Sequence, residues 1–483
     1  MFAKSMREGS MLLGSIAVCV TLAACGGGGA ATDAGAAPSD GAGAGAEAST
    51  VSNANEPAGG SMLAASDLQG GGAASTAESP TTTAAVEREA VASLTIDSGD
   101  GGYRKPKIAA LDYSGDSTTT RAAQLARYKF VILAGRSAVT IASFSASIHA
   151  RNSSVPIAAY TVFNELDCTA DSSSAKYPLV QAANKANWWL RHADGSRSQW
   201  SSLYNHCDMN LSSWATRDSS GRTWQQYKAA FDYSNLFKIA PYVSYAFSDN
   251  TFRAPRVDAD WKRIGTNQLR TDSTIITAQR AGQAAYWSAL RGLAPNLKIV
   301  GNADSDLSAP EYVGKLNGAF YEGAMGRSYS LETWSTWSAM MGRYRALLRN
   351  TASPKAAFLQ VYGGATDFRQ MRYGLASALL EDGYYVYLPS SGTLKSVWYD
   401  EYEAPLGDPS EAPPTAPKQN GIWMRRYGNG LVLVNPSKTS SATIDVGTGY
   451  KRLTGTQDPG VNSGAAQSTI TLAPRSGLIM LKR

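Results

Sequence analysis

Two short apolar runs each lead into a carboxylate: 239–248 ahead of Asp249-Asn250, and 316–321 ahead of Glu322-Gly323. A strand buried on both faces reads as a near-continuous apolar run. In a closed barrel of parallel strands, the C-terminal strand ends face the active-site mouth. Two carboxylates delivered there from roughly seventy residues apart in the chain suit glycosidic-bond cleavage, where one protonates the leaving oxygen and the other attacks the sugar or activates water. Either acid alone fits a helix N-cap or an ion pair equally well. The two on one predicted rim point to catalysis. The sequence does not order their roles; the working assignment is Asp249 as nucleophile or base and Glu322 as general acid. Burial and mutual repulsion would separate their proton affinities.

Other polar residues end or follow predicted strands and are candidate substrate hydrogen-bonders: Asp112, Asn164, Glu165, Asn302, Asp304, Gln360 and Tyr362, with Asp400 and Glu401 in a late Trp-Tyr-Asp-Glu-Tyr cluster. Each is as easily structural. The chain has no Gly-x-Ser-x-Gly elbow, no His-Glu-x-x-His and no phosphate loop, which disfavours serine hydrolase, zinc hydrolase and nucleotide-driven chemistry. Only three histidines are present (His149, His192, His206). No metal, cofactor or nucleic-acid partner is expected.

The elements that must position these groups alternate in type from residue 103 onward. Strands are predicted over 107–112, 130–134, 157–163, 238–247, 297–302, 317–322, 356–361 and 384–388, with helical stretches over 119–128, 275–293, 330–348 and 368–381. Alternation of this kind implies βα units and a parallel sheet. Eight strands suggest a (β/α)8 TIM barrel over 103–402. A doubly wound open sheet is the competitor, weakened because no Gly-rich dinucleotide fingerprint follows the first strand. The longest excursion, 164–236, holds Trp188, Trp189, Trp200, Trp214 and Trp224. A connection that long is usually functional, and Trp188 is a candidate sugar-stacking face, although any one of these rings fits loop packing better. A Pro-rich boundary at 403–420 precedes short alternating runs at 422–427, 431–435, 442–446, 468–472 and 477–481, with Gly428-Asn429-Gly430 as a hairpin signal. They predict a small antiparallel β domain over 421–483.

The N-terminus reads as an address. Lys4 and Arg7 precede an apolar stretch at 11–22 that is short for a transmembrane helix. It closes on Leu22-Ala23-Ala24-Cys25-Gly26, which is similar to a bacterial lipobox, so Cys25 is the expected lipidation site and the outer membrane the expected location. Residues 26–102 are rich in Gly, Ala, Ser and Thr and read as a flexible tether. Net charge is −9 over 26–102 and +1 over 1–25, so the chain's total of +6 leaves +14 on 103–483. A basic surface suits either anionic lipid nearby or an anionic polymer substrate. With Cys19 removed and Cys25 lipidated, Cys168 and Cys207 are left, and an oxidising compartment favours a disulfide between them.

Several segments carry a family resemblance: Asn187-Trp188-Trp189-Leu190-Arg191 with Asp194-Gly195, Met209-Asn210-Leu211, Phe247-Ser248-Asp249-Asn250, Phe320-Tyr321-Glu322, Trp398-Tyr399-Asp400-Glu401-Tyr402 and Leu406-Gly407-Asp408-Pro409. Together with the run from Trp423 to Asn435-Pro436, their order resembles the glycosyl-hydrolase-like TIM-barrel families over about 105–483. That resemblance implies a barrel acting on polysaccharide with a terminal β domain. It carries Asp249 and Glu322 onto the acidic positions after strands four and six. The expectation is therefore a monomeric, lipid-anchored glycoside hydrolase acting on a polysaccharide, with an anionic one favoured by the charge. The alternative from another class is a non-catalytic polysaccharide-binding or export lipoprotein; a lyase or transglycosylase shares the cleft. Carboxyl groups about 5 Å apart would mean retention of configuration, and roughly 6.5–9.5 Å inversion.

Overall fold

The computed structural model describes residues 104–201, 205–390 and 395–483. The leader, Cys25 and the tether over 26–102 lie outside the described residues. Eight parallel strands run in chain order around one sheet: β1 (Ala109–Asp112), β2 (Phe130–Leu133), β3 (Ile157–Thr161), β4 (Tyr245–Thr251), β5 (Lys298–Ala303), β6 (Gly318–Met325), β7 (Ala356–Gly363) and β8 (Tyr384–Pro389). Ile108 bridges Tyr385 in parallel, and the Tyr385 N–H donates to the Lys107 carbonyl at 2.9 Å, so the last strand meets the first and the ring closes. The expected (β/α)8 barrel is present. Its interior is filled by Leu111, Phe130, Ile132, Phe247, Val300, Phe320, Phe358 and Val386. Alternate residues such as Val131, Ala246, Ile299 and Ala357 face outward into the shell between strands and helices. Burial on both faces is why the strands read as unbroken apolar text.

The shell comprises α1 (Thr119–Leu125), α2 (Ala138–His149), α3 (Tyr177–Lys185), α4 (Trp224–Asp232), α5 (Ser273–Leu293), α6 (Trp337–Asn350) and α7 (Phe368–Leu379). Thr118, Ser137, Thr223, Asp272, Thr336 and Asp367 each cap a helix by accepting a backbone N–H, which satisfies a donor the first turn leaves orphaned.

The fourth strand departs from expectation. Residues Tyr233–Phe237 continue α4 as a π-turn, and Ile239 and Tyr242 are 43% and 42% exposed. Pro241 offers no N–H to a ladder; pairing with β3 begins when the Ser244 N–H donates to the Ile157 carbonyl. The strand then runs to Thr251. Asp249 therefore lies inside β4 rather than beyond it, and β6 runs on past Glu322, its expected last residue, to Met325.

The chain closes in antiparallel sheets: β9 (Trp423–Tyr427), β10 (Gly430–Asn435), β11 (Ala442–Asp445), β12 (Tyr450–Arg452), β13 (Thr469–Leu472) and β14 (Ser476–Lys482). Strands β9, β10, β14 and β12 form one sheet in that order, and β11 pairs with β13. The short β12 is absent from the sequence expectation; with three residues it carries little periodicity. Strand β14 packs on α7 so closely that a Cβ on Gly477 would sit 2.5 Å from the Ala376 Cβ.

The late acidic cluster joins the two parts. Asp400 accepts the N–H groups of Thr456 (2.7 Å) and Gln457 (2.9 Å). Glu401, 1% exposed, accepts from Arg372 Nη1 at 3.0 Å and Asn462 Nδ2 at 2.9 Å. Both were expected to bond substrate, but each commits one oxygen to this junction, Asp400 Oδ2 and Glu401 Oε1. Removing one partner of a buried pair strands the other charge. Glu401→Ala is therefore expected to lower unfolding free energy by about 3 kcal/mol, read from the shift in urea midpoint; an unchanged midpoint would contradict it.

Candidate active site

Both carboxylates sit where their strand slips register. Strand β4 pairs with β5 through Ser248↔Gly301 and resumes only at Thr251↔Ala303; β6 pairs with β7 through Tyr321↔Leu359 and resumes at Met325↔Val361. In each case the residue after the carboxylate is left-handed, Asn250 at φ 56° and Gly323 at φ 58°. Such irregularities bend a strand and re-aim its side chains at barrel rims. Glycine adopts that backbone freely and Asn tolerates it better than most residues. Asn250 is further held by its Nδ2 donating to Glu165 Oε1 (3.0 Å) and by its carbonyl accepting from Asn164 Nδ2 (2.8 Å). The Gly323 N–H donates to Gln360 Oε1 at 2.6 Å.

One side chain joins the pair. Asn302 Nδ2, from β5 between them, donates to Asp249 Oδ1 at 2.8 Å and to Glu322 Oε2 at 2.8 Å. The Tyr160 hydroxyl donates to the other Asp249 oxygen at 2.5 Å, and Tyr362 donates to Glu322 Oε1 at 3.2 Å. Asp249 is fully buried whereas Glu322 is partly exposed. Burial raises the Asp249 carboxyl above its ordinary pKa, against the hydrogen bonds from Tyr160 and Asn302, which favour the charged form. Burial and the neighbouring Asp249 together hold the Tyr160 hydroxyl far above its usual range, so it stays a donor.

A second layer flanks β3. Glu165 is buried and accepts from the Trp200 indole N–H and from Asn250, with His206 Nδ1 3.2 Å away. It lies on a two-stranded ribbon, Glu165–Asp167 against His206–Asp208, which the Cys168–Cys207 disulfide fastens.

The structure gathers Asp249, Glu322, Asn302, Gln360, Tyr362 and Asn164 into one cluster. Asp112 is fully buried between Arg121 (3.0 Å) and Arg136 (3.1 Å), an ion-paired position at the end of β1. Trp188 is also fully buried, giving its N–H to the Thr216 carbonyl and packing on Trp224; its ring belongs to the core of the long excursion. Asp304 accepts the Arg253 N–H at 3.0 Å. Tyr160 was not anticipated: within Ile157-Ala-Ala-Tyr-Thr it reads as one more core aromatic.

A family model described as hypothetical glycosyl hydrolase family 15 matches residues 149–431. No curated protein matches the chain. Among solved structures, the glycoside hydrolase domain of PelA from Pseudomonas aeruginosa is 19% identical, over 60% of this chain and 96% of that one, with a TM-score of 0.37. Amy13B from Eubacterium rectale is 11% identical, over 80% of this chain and 97% of that one, at 0.44. An alpha-amylase from Lactobacillus plantarum is 9% identical, over 78% and 98%, at 0.44.

Proposed function

Because the chain belongs to hypothetical glycosyl hydrolase family 15, we propose that it hydrolyses glycosidic bonds of a polysaccharide by double displacement on Asp249 and Glu322. The observation that carries this is the shared amide. Asn302 donates 2.8 Å to each carboxylate, so the two bridged oxygens lie no farther apart than twice that distance, about 5.6 Å. A separation of about 5–5.5 Å suits a covalent glycosyl intermediate, while about 6.5–9.5 Å leaves room for an attacking water. Glu322, partly exposed, exchanges protons with solvent and serves as acid, then base. Asp249 attacks the anomeric carbon, which requires Tyr160 to turn aside as the sugar seats. The acylated Cys25 would hold the enzyme to the outer membrane, its tether giving the barrel reach over polymer.

Proton NMR of the first-formed product anomer tests the mechanism. Retention is expected; inversion would overturn double displacement. A second reading, a non-catalytic polysaccharide-binding or export lipoprotein, draws on one observation, that Asp249 exposes no surface without substrate. It predicts no release of reducing ends from any bound polymer.

A further inference from the structure

The connection after β4 carries a buried cation whose nitrogens have no hydrogen-bond partner among the described residues. Arg256 lies flat between two rings, its Cζ 3.6 Å from the Trp200 centroid and 3.4 Å from that of Phe252. Stacking covers both faces of the guanidinium and leaves its edge, with five N–H donors, for hydrogen bonding. All three of its nitrogens are buried, and among the described residues none has a hydrogen-bond partner. The cavity beside it, about 30 Å³, is also lined by Asn164, Glu165, Asp208 and Trp261. Asn164 Oδ1 and Trp261 Nε1 are likewise unpartnered. That space takes a water or two, or the head of one functional group. A sugar ring would not fit.

The nearby acids do not fill this edge. Glu165 is engaged with Trp200, Asn250 and His206; Asp208 accepts from Ser198 at 2.7 Å; Asp249 is engaged with Tyr160 and Asn302. Burial lowers the Arg256 pKa to about 10, opposed by the fields of Glu165, Asp208, Asp249 and Asp304, so the group remains charged at neutral pH. Burial also pushes Asp208 up to about 7, which weakens one of the competing negative charges. A buried charge lacking hydrogen bonds is strongly unfavourable, and no described residue supplies the acceptors that this edge lacks.

We propose that Arg256 is a specificity-determining residue that receives the carboxylate of an acidic sugar unit bound beside Asp249. The assignment rests on the hydrolase reading of the same cleft. A planar fork of donors matches a carboxylate two bonds at a time, which an ammonium cannot do. The +14 charge on 103–483 draws an anionic polymer toward the barrel.

The test uses the full chain carrying Glu322→Gln, so that binding is read without turnover. Affinity electrophoresis against alginate, polygalacturonate and hyaluronate is compared with their carboxyl-reduced forms. At least one acidic polymer is expected to bind about tenfold more tightly than its reduced form, and adding Arg256→Gln is expected to abolish that preference while leaving retention by the reduced form unchanged. No acidic preference in the parent, or a preference that survives Arg256→Gln, overturns the proposal. Should Arg256→Gln fail to fold, Arg256→Lys carries the test: a preference cut at least fivefold supports the fork, and an intact one overturns it. Reducing-end release by the unmodified chain is scored separately. Its absence on every polymer would sink the hydrolase reading and leave the Arg256 result standing as anion recognition.

Discussion

Asp249→Asn is expected to lower kcat by about 10⁴-fold or more, the scale on which loss of a nucleophile is felt, while the protein stays folded. Asn presents one acceptor and one donor group. Its oxygen can take the Asn302 bond and its amide can face the Tyr160 hydroxyl, which turns to accept, so both contacts are kept in a side chain of the same shape. The loss is then chemical. The wild-type pH profile follows from the same residue. Burial raises the Asp249 pKa, and attack needs the ionised form, so activity is present above that pKa and falls as pH drops through it. The acid limb should therefore lie above the ordinary carboxylate range. A limb at or below that range, or an Asp249→Asn variant within tenfold of wild type, would remove Asp249 from the chemistry.

Glu322→Gln is expected to slow turnover by about 10³-fold, within the range for losing a general acid–base group. Here too the shape is kept: a Gln oxygen accepts from Asn302 and its amide can donate to Tyr362. Steady-state assays of reducing-end release, with circular dichroism as a fold control, measure it. Substrates with good leaving groups need little protonation, so on an aryl glycoside the first, bond-breaking step should be largely spared. Equal losses on aryl and polymeric substrates would argue against the acid role.

The barrel was legible because eight apolar runs alternate with helical text, a pattern that burial on both strand faces imposes. Closure through Ile108 and Tyr385 is a long-range pairing that no local signal carries. The fourth strand misled because Ile239-Ala-Pro-Tyr-Val is apolar yet surface-exposed at Ile239 and Tyr242; composition does not distinguish such a run from a buried one. The two carboxylates stood out at the ends of apolar runs, but the device that aims them did not. Asn250 and Gly323 are ordinary in sequence, and only the backbone reveals that both adopt φ near +57° after an acid. Asn302 was a strand-end candidate among several until its bridging bonds singled it out. Trp188 and the Asp400–Glu401 cluster attracted a functional reading by type, because aromatics and acids serve packing and domain junctions as readily as ligands. Arg256 carried no local signal at all, since its meaning lies in two rings from distant segments.

The central claim is that Asp249 and Glu322 act as one unit on one bond. Comparing kcat/KM on a cleaved polymer for Asp249→Asn, Glu322→Gln and the double variant tests it most directly. Residues serving a single reaction step are strongly non-additive, so the double variant should be about as slow as the slower single one. Losses that multiply, or a single variant retaining wild-type kcat/KM, would contradict the account.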